Sequence, residues 1–212
     1  MDDTVEAIHE LGHRKFVGGD GPYWDVVADL QFDFLCARRL KSSDTFIDIG
    51  CGSLRGGRRF IDYLEVGKYH GIDKYIELLI YAVNAELGLK VYRRKMPRFV
   101  VSDRFEFARF GTKFTFGIAQ ALFTHLTGED IGICLASLSL AAAPGCRVFA
   151  TFFEVAVPRG NPRRSLNHVG FGYTRGEMET FGSATGWIPK YIGEWGHPRG
   201  QNIIEYVKPG GT

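Results

Sequence analysis

The stretch Phe46-Ile47-Asp48-Ile49-Gly50-Cys51-Gly52-Ser53-Leu54-Arg55-Gly56-Gly57 decides the fold of this chain. Its first residues predict a buried strand, and its glycines predict a tight turn that opens a helix. Gly50 and Gly52 carry no Cβ, so the backbone can turn sharply there and approach a ligand closely. A second strand follows and ends at the carboxylate Asp73. Because ligands of open parallel sheets bind outside the carboxyl ends of the strands, this edge suits an adenosine-type cofactor.

Composition and charge exclude several classes of function. The 212 residues, 45% of them hydrophobic and 24% charged, suit one α/β domain with a sizeable core. The net charge of +2 comes without a basic stripe, so we predict no nucleic-acid partner. The sequence has no apolar run of the roughly 18 residues that a membrane span needs, so we predict no membrane association.

The cysteines and the first residues indicate a cytoplasmic protein. Residues 1–6 are acidic and polar, unlike a signal peptide. The cysteines form no C-x-x-C pair, and most lie in apolar runs, which is typical of buried thiols in a reducing compartment. They are Cys36, Cys51, Cys134 and Cys146.

Strands alternate with helices along the chain, which predicts βαβ units and a mostly parallel sheet. The predicted strands are 45–49, 68–72, 99–101, 114–119, 147–153, 188–192 and 202–207, and the predicted helices are 55–64, 76–87, 129–142 and 175–185. The last two strands have no helix between them. A parallel crossover needs about a dozen residues or more, so these strands should pair as an antiparallel hairpin.

We expect a single domain over residues 1–212. Within it the pattern predicts an N-terminal helical cap, a cofactor-binding core, a substrate loop rich in Pro, Gly and Arg, and a final helix with the hairpin. Their ranges are 1–44, 45–154, 155–174 and 175–212. A loop of that length is seldom an idle connection.

Carboxylates at successive strand ends favour one cofactor over another. A dinucleotide fingerprint G-x-G-x-x-G would need glycine where this chain has Arg55, which weakens a pyrophosphate site. Asp48 can accept a hydrogen bond from an ammonium group, and Asp73 can accept both hydroxyls of a ribose. Asp103 could bond an adenine amino group while Phe105 or Tyr75 covers the ring, although a turn-forming role suits Asp103 equally.

In these motifs the chain resembles the bacterial class I S-adenosylmethionine (SAM)-dependent methyltransferases. The resemblance extends along nearly its whole length and is to a small-molecule subgroup in particular. Residues 46–57 are similar to the first family motif, with Leu54 in place of its third glycine, and Asp73 matches the second. Ser102-Asp103 matches the third motif and residues 116–126 resemble the fourth. The resemblance implies a Rossmann-like, seven-stranded sheet with one antiparallel strand and helices on both faces.

The same resemblance implies where the cofactor contacts lie. Asp48 and Arg55 are expected near the methionine part of SAM, beside Gly50 and Gly52. Asp73 is expected at the ribose, and Ser102 with Asp103 at the adenine. Gln120 is expected near the cofactor. S-adenosylhomocysteine (SAH) is then the product.

Methyl transfer to a hydroxyl needs alignment, exclusion of water and a general base. Imidazole has a suitable pKa. His125, which we expect one helical turn after the fourth strand, is the first candidate, with His168 and His197 as rivals. Glu154, at the end of the fifth strand, could bond a substrate hydroxyl or help His125 or His168 hold a divalent metal such as Mg²⁺. No short metal-ligand spacing supports that site, so we predict no metal.

The acceptor is predicted from aromatic residues and from a missing motif. Tyr23, Trp24 and Trp195, with His197, are candidates for binding a hydroxylated ring, although each aromatic ring could equally belong to the core. Residues 119–122 replace the Asn/Asp-Pro-Pro-Tyr motif found in many amide methyltransferases of this fold. We therefore predict transfer of a methyl group to a hydroxyl of a small polar acceptor. The preferred acceptor is a saccharide, such as a methylated-polysaccharide precursor, which would make the protein a sugar O-methyltransferase.

Three alternatives stay open on the sequence alone. They are a small-molecule N-methyltransferase, an NAD(P)-dependent oxidoreductase, and a methyltransferase-like binding module without catalysis. Arg55 and the terminal hairpin speak against the oxidoreductase. A monomer and a homodimer are equally compatible with the sequence.

Overall fold

A computed structural model describes residues 3–19 and 21–210. The chain forms two compact units, and the boundary between them falls between Asp103 and Arg104. This boundary lies inside the 45–154 segment that the sequence predicts as the cofactor-binding core. Among the described residues, no helix has the length and apolar character needed to cross a membrane.

The first unit contains a parallel sheet that carries the glycine-rich turn. Its strands are β1 (Phe46–Ile49), β2 (Tyr69–Asp73) and β3 (Arg98–Val101), in the order β3-β2-β1. Every residue of β1 is buried, as the apolar run in the sequence predicts. The register pairs Phe46 with Tyr69 and Asp48 with Gly71, so side chains of β1 and β2 share one face of the sheet in pairs.

Helices connect and flank these strands. They are α1 (Asp3–Leu11), α2 (His13–Phe16), α3 (Tyr23–Ala37), α4 (Gly57–Tyr63), α5 (Ile76–Tyr81) and α6 (Leu89–Lys95). The helix predicted over 76–87 is instead α5 followed by a π-helical segment, Ala82–Leu87. The sequence correctly predicts a helix end near Gly88, but α6, which begins at the next residue, is missing from the prediction.

The second unit contains a mixed sheet. Its strands are β4 (Phe114–Ala119), β5 (Ala142–Glu154), β6 (Gly172–Tyr173), β7 (Ile188–Gly193) and β8 (Asn202–Val207). The order is β4-β5-β8-β7, with β6 beside the end of β5. Strands β4 and β5 are parallel, whereas β8 is antiparallel to both β5 and β7. The predicted C-terminal antiparallel hairpin is therefore confirmed.

Two features of this sheet differ from the prediction. Strand β5 begins at Ala142, five residues before the predicted start at Arg147. Pro144-Gly145 does not interrupt the strand, because these residues lie where the register between β4 and β5 shifts. Strand β6 lies within the long loop and is too short to have a sequence period of its own.

The helices of the second unit begin at capped termini. They are α7 (Gly128–Ala141) and α8 (Arg175–Ala184), preceded by a 3₁₀ turn at Phe107–Phe110. Thr127 Oγ1 accepts a hydrogen bond from Asp130 N at 3.1 Å and so caps the N-terminus of α7. Thr174 and Glu177 form a reciprocal capping box at α8.

The long loop 155–174 is fastened to the segment that follows β4. Leu166 N donates to His125 O at 3.1 Å, and Phe171 N donates to Thr124 O at 2.8 Å. Thr127 N donates to the hydroxyl of Ser165 at 2.9 Å. The loop and residues 124–127 therefore form one hydrogen-bonded layer, which fixes the backbone around His125.

Candidate active site

The glycine-rich turn of the first unit is locked to the end of β2. Gly50 and Gly52 both have positive φ, 70° and 52°, as the sequence predicts for a sharp turn. Gly50 N donates to Ile72 O at 2.8 Å, and Gly52 N donates to Asp73 Oδ2 at 2.9 Å. The turn is therefore held by the backbone of one strand end and by its terminal carboxylate.

Leu54 replaces the third glycine of the motif but has the left-handed backbone conformation that a glycine would adopt there. The residue stands where the third glycine is expected, and its φ is +68°, a conformation that costs a leucine about 1 kcal/mol or more. Its side chain is 1% exposed. Burying a leucine side chain stabilises a fold by about 2 kcal/mol, which offsets that strain. The turn thus retains the left-handed backbone that glycine usually supplies.

Asp73 organises the backbone around the proposed ribose position. Besides Gly52, it accepts a hydrogen bond from Tyr75 N, which donates to Oδ1 at 3.0 Å. Burial raises the pKa of Asp73, and the Tyr75 and Gly52 donors oppose that rise. The backbone N–H of Lys74 lowers that pKa as well. A carboxylate has about four lone-pair positions, so these backbone donors leave capacity for a ribose hydroxyl.

Asp48 lies within β1 and is bonded to a tyrosine that the sequence analysis did not identify. Tyr69 donates its phenolic proton to Asp48 Oδ2 at 2.6 Å, and both residues are buried. Burial raises the pKa of Asp48 to about 7, although the Tyr69 hydrogen bond and the charge of Arg55 lower it. The β1–β2 register could have identified this partner, since it places Tyr69 on the face of Asp48. We call Asp48, Tyr69 and Asp73 the carboxylate cluster.

The other predicted cofactor residues of the first unit occupy different environments. Arg55 Nη1 contacts the carbonyl oxygens of Val17 and Gly18 at 3.3 and 3.4 Å, so its guanidinium ties the turn to the N-terminal segment. Ser102 is buried, and its backbone N donates to Asp73 O at 2.9 Å. Asp103 follows β3 and is exposed to solvent.

The two aromatic candidates on α3 differ in accessibility. Tyr23 is 38% exposed, whereas Trp24 is 5% exposed. The Arg14 guanidinium lies 4.7 Å from the centre of the Trp24 ring, and the imidazole of His13 meets that ring edge-on. Arg14 also binds Glu86 through two hydrogen bonds of 2.6 and 2.8 Å. Of the two, Tyr23 has the ring that a ligand can reach from solvent.

In the second unit, Gln120 follows β4 and belongs to a buried polar cluster. Gln120 Nε2 lies 3.0 Å from Gln201 Oε1 and 3.2 Å from His197 Nε2. Thr151 donates to Gln201 Oε1 at 2.8 Å and accepts from Ala121 N at 2.7 Å. Ala121 has φ +53°, so this bond holds a strained turn directly after Gln120. We call Gln120, Thr151, His197 and Gln201 the amide cluster; Thr151 and Gln201 were missed because they lie far away in sequence.

Trp195 covers one side of the amide cluster. Its ring stacks on His197 with centroids 5.5 Å apart, and its Nε1 donates to Gln201 O at 2.9 Å. Trp195 is 9% exposed and His197 is 8% exposed. The structure therefore brings together the hairpin candidates Trp195 and His197 with Gln120 within one unit.

His125 has a defined tautomer but not the predicted secondary structure. It lies in a turn and not in a helix, because the helix begins later, at Gly128. Its Nδ1 lies 3.0 Å from the carbonyl oxygen of Val169, in the substrate loop. A carbonyl only accepts, so Nδ1 carries a proton, and in the neutral form of the ring the lone pair is then on Nε2. His168, in contrast, is exposed.

Glu154 is exposed at the end of β5 and is bonded within its own unit. The Tyr191 hydroxyl and the Asn202 side-chain amide both donate to Glu154 Oε2. Within residues 3–19 and 21–210, no group of three or more His, Cys, Asp or Glu side chains is placed to hold a metal ion. The pairing of Glu154 with His125 or His168 around a metal gains no support from this arrangement.

Comparison with known proteins gives matches among solved structures alone. No protein-family model matches the sequence, and no curated protein matches it either. Many solved structures match in fold.

Three of these structures illustrate the likeness. Magnesium protoporphyrin IX methyltransferase from Synechocystis PCC 6803, with bound SAM, is 17% identical, covers 98% of both chains and has a TM-score of 0.67. CalS10, a SAM-bound amino pentose methyltransferase from Micromonospora echinaspora, is 17% identical with a TM-score of 0.62, covering 95% of this chain and 96% of that one. Human N-acetylserotonin methyltransferase with SAM is 14% identical with a TM-score of 0.69, covering 98% of this chain and 59% of that one.

These likenesses establish the fold. The chain has the Rossmann-like fold of SAM-dependent methyltransferases, with parallel strands, helices and a C-terminal antiparallel hairpin. The fold predicted from the sequence is therefore confirmed.

Proposed function

We propose that this protein is a SAM-dependent methyltransferase that moves a methyl group to a hydroxyl of a small polar acceptor, preferably a saccharide. The observation that carries the proposal is the left-handed glycine turn of the first unit, in which Gly52 N donates to Asp73, next to the strand that holds the buried carboxyl of Asp48. The fold is that of proteins crystallised with SAM or SAH.

The residues of the first unit fit this cofactor chemically. Asp48 is a buried carboxylate whose pKa is about 7, so a neighbouring ammonium group would stabilise its ionised form. Asp73 retains acceptor capacity for hydroxyls after binding the turn. We assign Gly50, Gly52 and Arg55 to the methionine end, Asp73 to the ribose, and Ser102 with Asp103 to the adenine.

When bound, SAM supplies a methyl group on a sulfonium, which is a good leaving group, so the protein need only align the acceptor, exclude water and accept a proton. We assign proton acceptance to His125. Its tautomer supports this role, because the Val169 carbonyl holds the proton on Nδ1 and the basic lone pair is on Nε2. His168 and His197 are the rival bases.

The amide cluster and the aromatic side chains are assigned to the acceptor. Tyr23, Trp195 and His197 offer ring faces and a hydrogen-bonding group that suit a hydroxylated ring, and Glu154 offers a carboxylate to a substrate hydroxyl. We assign Gln120 to contact with bound ligand. We further propose a cytoplasmic enzyme, monomeric or homodimeric, without a nucleic-acid or membrane partner.

The test is methyl transfer from radiolabelled SAM to a panel of sugars, phenols, amines and carboxylic acids. Transfer to sugar hydroxyls is the expected result. Transfer to amines alone would establish N-methylation and overturn the hydroxyl acceptor. A thermal shift with NAD(P) and none with SAM would favour the oxidoreductase, and SAM binding without any transfer would favour the binding module.

A further inference from the structure

We propose that Tyr69 is a positioning residue, whose hydroxyl holds Asp48 so that its carboxylate can receive the amino group of SAM; the inference rests on the proposed cofactor. Tyr69 is 2% exposed and Asp48 is 6% exposed. The 2.6 Å bond joins the phenol to Asp48 Oδ2. Since the phenol engages Oδ2, we assign the contact with the cofactor amino group to Oδ1.

The space around the phenol is built for this contact. A Cβ at Gly57 would lie 2.4 Å from the Tyr69 hydroxyl oxygen and 2.5 Å from Leu54 Cδ2. Any larger residue at the start of α4 would therefore displace the hydroxyl from Asp48 or expel Leu54. Gly57 thus leaves room for the Tyr69 hydroxyl next to the turn. The family motif by itself predicts nothing about position 69.

The charges around Asp48 come from both elements packed against it. Tyr69 and Asp73 face it from β2, and Cys51 and Arg55 face it from the turn. Asp73 raises the pKa of Asp48, whereas the Tyr69 hydrogen bond and Arg55 lower it. Cys51 stays a neutral thiol, since burial raises its pKa well above the ordinary value. The phenol therefore favours the ionised form of Asp48 near neutral pH.

A pH dependence of cofactor binding follows. An ammonium ligand binds ionised Asp48 better than the neutral acid, so affinity for SAM and SAH should rise with pH up to about 7. Below that value each pH unit should weaken binding by up to about tenfold. 5′-Methylthioadenosine lacks the amino-acid part of SAM, so its affinity should not follow this profile.

The experiment measures the dissociation constants of SAM, SAH and 5′-methylthioadenosine by calorimetry between about pH 5.5 and about pH 9, with the full chain. In Tyr69→Phe the loss of the phenolic donor should shift the SAH profile to higher pH and weaken binding at pH 7 by about three- to tenfold. Asp48→Asn should abolish the profile. Tyr63→Phe is the matched control, because Tyr63 bonds the Leu40 carbonyl at 3.0 Å, away from Asp48, and should leave the profile unchanged.

The outcomes separate this inference from the proposed function. If the unaltered protein binds SAH with the expected profile and Tyr69→Phe moves its midpoint, the positioning role holds. A Tyr69→Phe profile that superimposes on that of the unaltered protein overturns it, and so does an equal weakening at every pH, which indicates a purely structural role. An identical profile for 5′-methylthioadenosine also overturns it. If the unaltered protein binds neither SAM nor SAH, the proposed function itself fails.

Discussion

The carboxylate cluster of the first unit and the amide cluster of the second unit are both largely buried, but they differ in charge. The first holds two acidic groups whose pKa values are raised by burial. The second consists of neutral amides, a hydroxyl and an imidazole that bond one another. Burial of a charged group costs more than burial of a neutral one, even where hydrogen bonds oppose that cost, as the Tyr69 phenol does at Asp48. In the amide cluster, Gln120 Oε1 is a buried oxygen without a hydrogen-bond partner. We therefore propose that the first unit retains its acidic groups for a charged ligand and that the second unit contacts a neutral one.

The largest expected effect separates binding from chemistry. His125→Ala should lower kcat by about a hundredfold or more, since a general base contributes roughly 10²–10⁴-fold. The affinity of the protein for SAH should change little, because the proposed cofactor residues of the carboxylate cluster are untouched. Initial rates with the best acceptor of the panel, together with calorimetry, provide the two measurements.

The matched control for that variant is His168→Ala, which changes an exposed imidazole of the substrate loop. It should retain a rate near that of the unaltered protein. A near-normal rate for His125→Ala would contradict the assignment and would transfer the base to His168 or His197.

The cost of the buried charge can be measured as stability. The pKa of Asp48 in the fold, about 7, exceeds its ordinary value of 3.8, so the protonated acid stabilises the fold at low pH. This contribution is lost as pH rises through about 7. Near pH 4, Asp48→Asn should therefore have about the same free energy of unfolding as the unaltered protein. At pH 8 without cofactor, its free energy of unfolding should be higher by about 2 to 4 kcal/mol.

Urea unfolding at both pH values provides this measurement. An Asp48→Asn variant that is no more stable than the unaltered protein at pH 8 would show that Asp48 carries no charge cost. The contrast between the two clusters would then fail. Thr151→Val, in the amide cluster, is the comparison variant, and its destabilisation should not depend on pH over this range.

The hydrogen bonds that Asp73 accepts from the backbone predict a somewhat smaller change in stability than the one expected for Asp48→Asn. Asp73→Ala leaves the N–H groups of Gly52 and Tyr75 without their acceptor, which should lower the free energy of unfolding by about 1 to 3 kcal/mol. Asp73→Asn keeps one acceptor oxygen and should lose less. Equal losses for the two variants would argue against the fastening role.

The last comparison is between the strained residues of the two turns, where backbone strain and side-chain burial have opposite effects on stability. Ala121, beside the amide cluster, has φ +53° and carries only a methyl group, so Ala121→Gly should stabilise the fold by about 0.5 to 1 kcal/mol. Leu54 has φ +68° but a buried side chain, so Leu54→Gly should destabilise it by about 1 to 3 kcal/mol. Thermal unfolding distinguishes the signs, and destabilisation by Ala121→Gly would contradict the strain at that turn.

The two clusters also differ in how far sequence reasoning could predict them. Asp48, the turn and Asp73 lie close along the chain in a strand–turn–helix–strand pattern. The apolar run and the glycines were therefore sufficient to predict the strand that holds Asp48, the turn that follows it, and Asp73 at the end of β2. Tyr69 was missed because the role of its hydroxyl depends on the register of β1 against β2.

The amide cluster could be predicted only in part. Gln120 and His197 were proposed separately, but their contact joins residues 77 positions apart, and the contact of Gln120 with Gln201 joins residues 81 apart. Such contacts depend on how β8 pairs with β5, which no local pattern encodes. The Val169 carbonyl that bonds His125 Nδ1 lies 44 residues away, in the long loop, and it too could not be predicted from a local pattern.

Calorimetry tests whether the glycine turn and Asp48 bind SAM and SAH. Purified protein is titrated with SAH and with SAM in a calorimeter near pH 8, where the Asp48 carboxyl is mostly ionised. Saturable heat with one ligand bound per chain is expected, and Asp48→Asn should lose most of that affinity. Absence of heat with both ligands, from protein whose cooperative unfolding shows that it is folded, would contradict the assignment of the glycine turn to this cofactor.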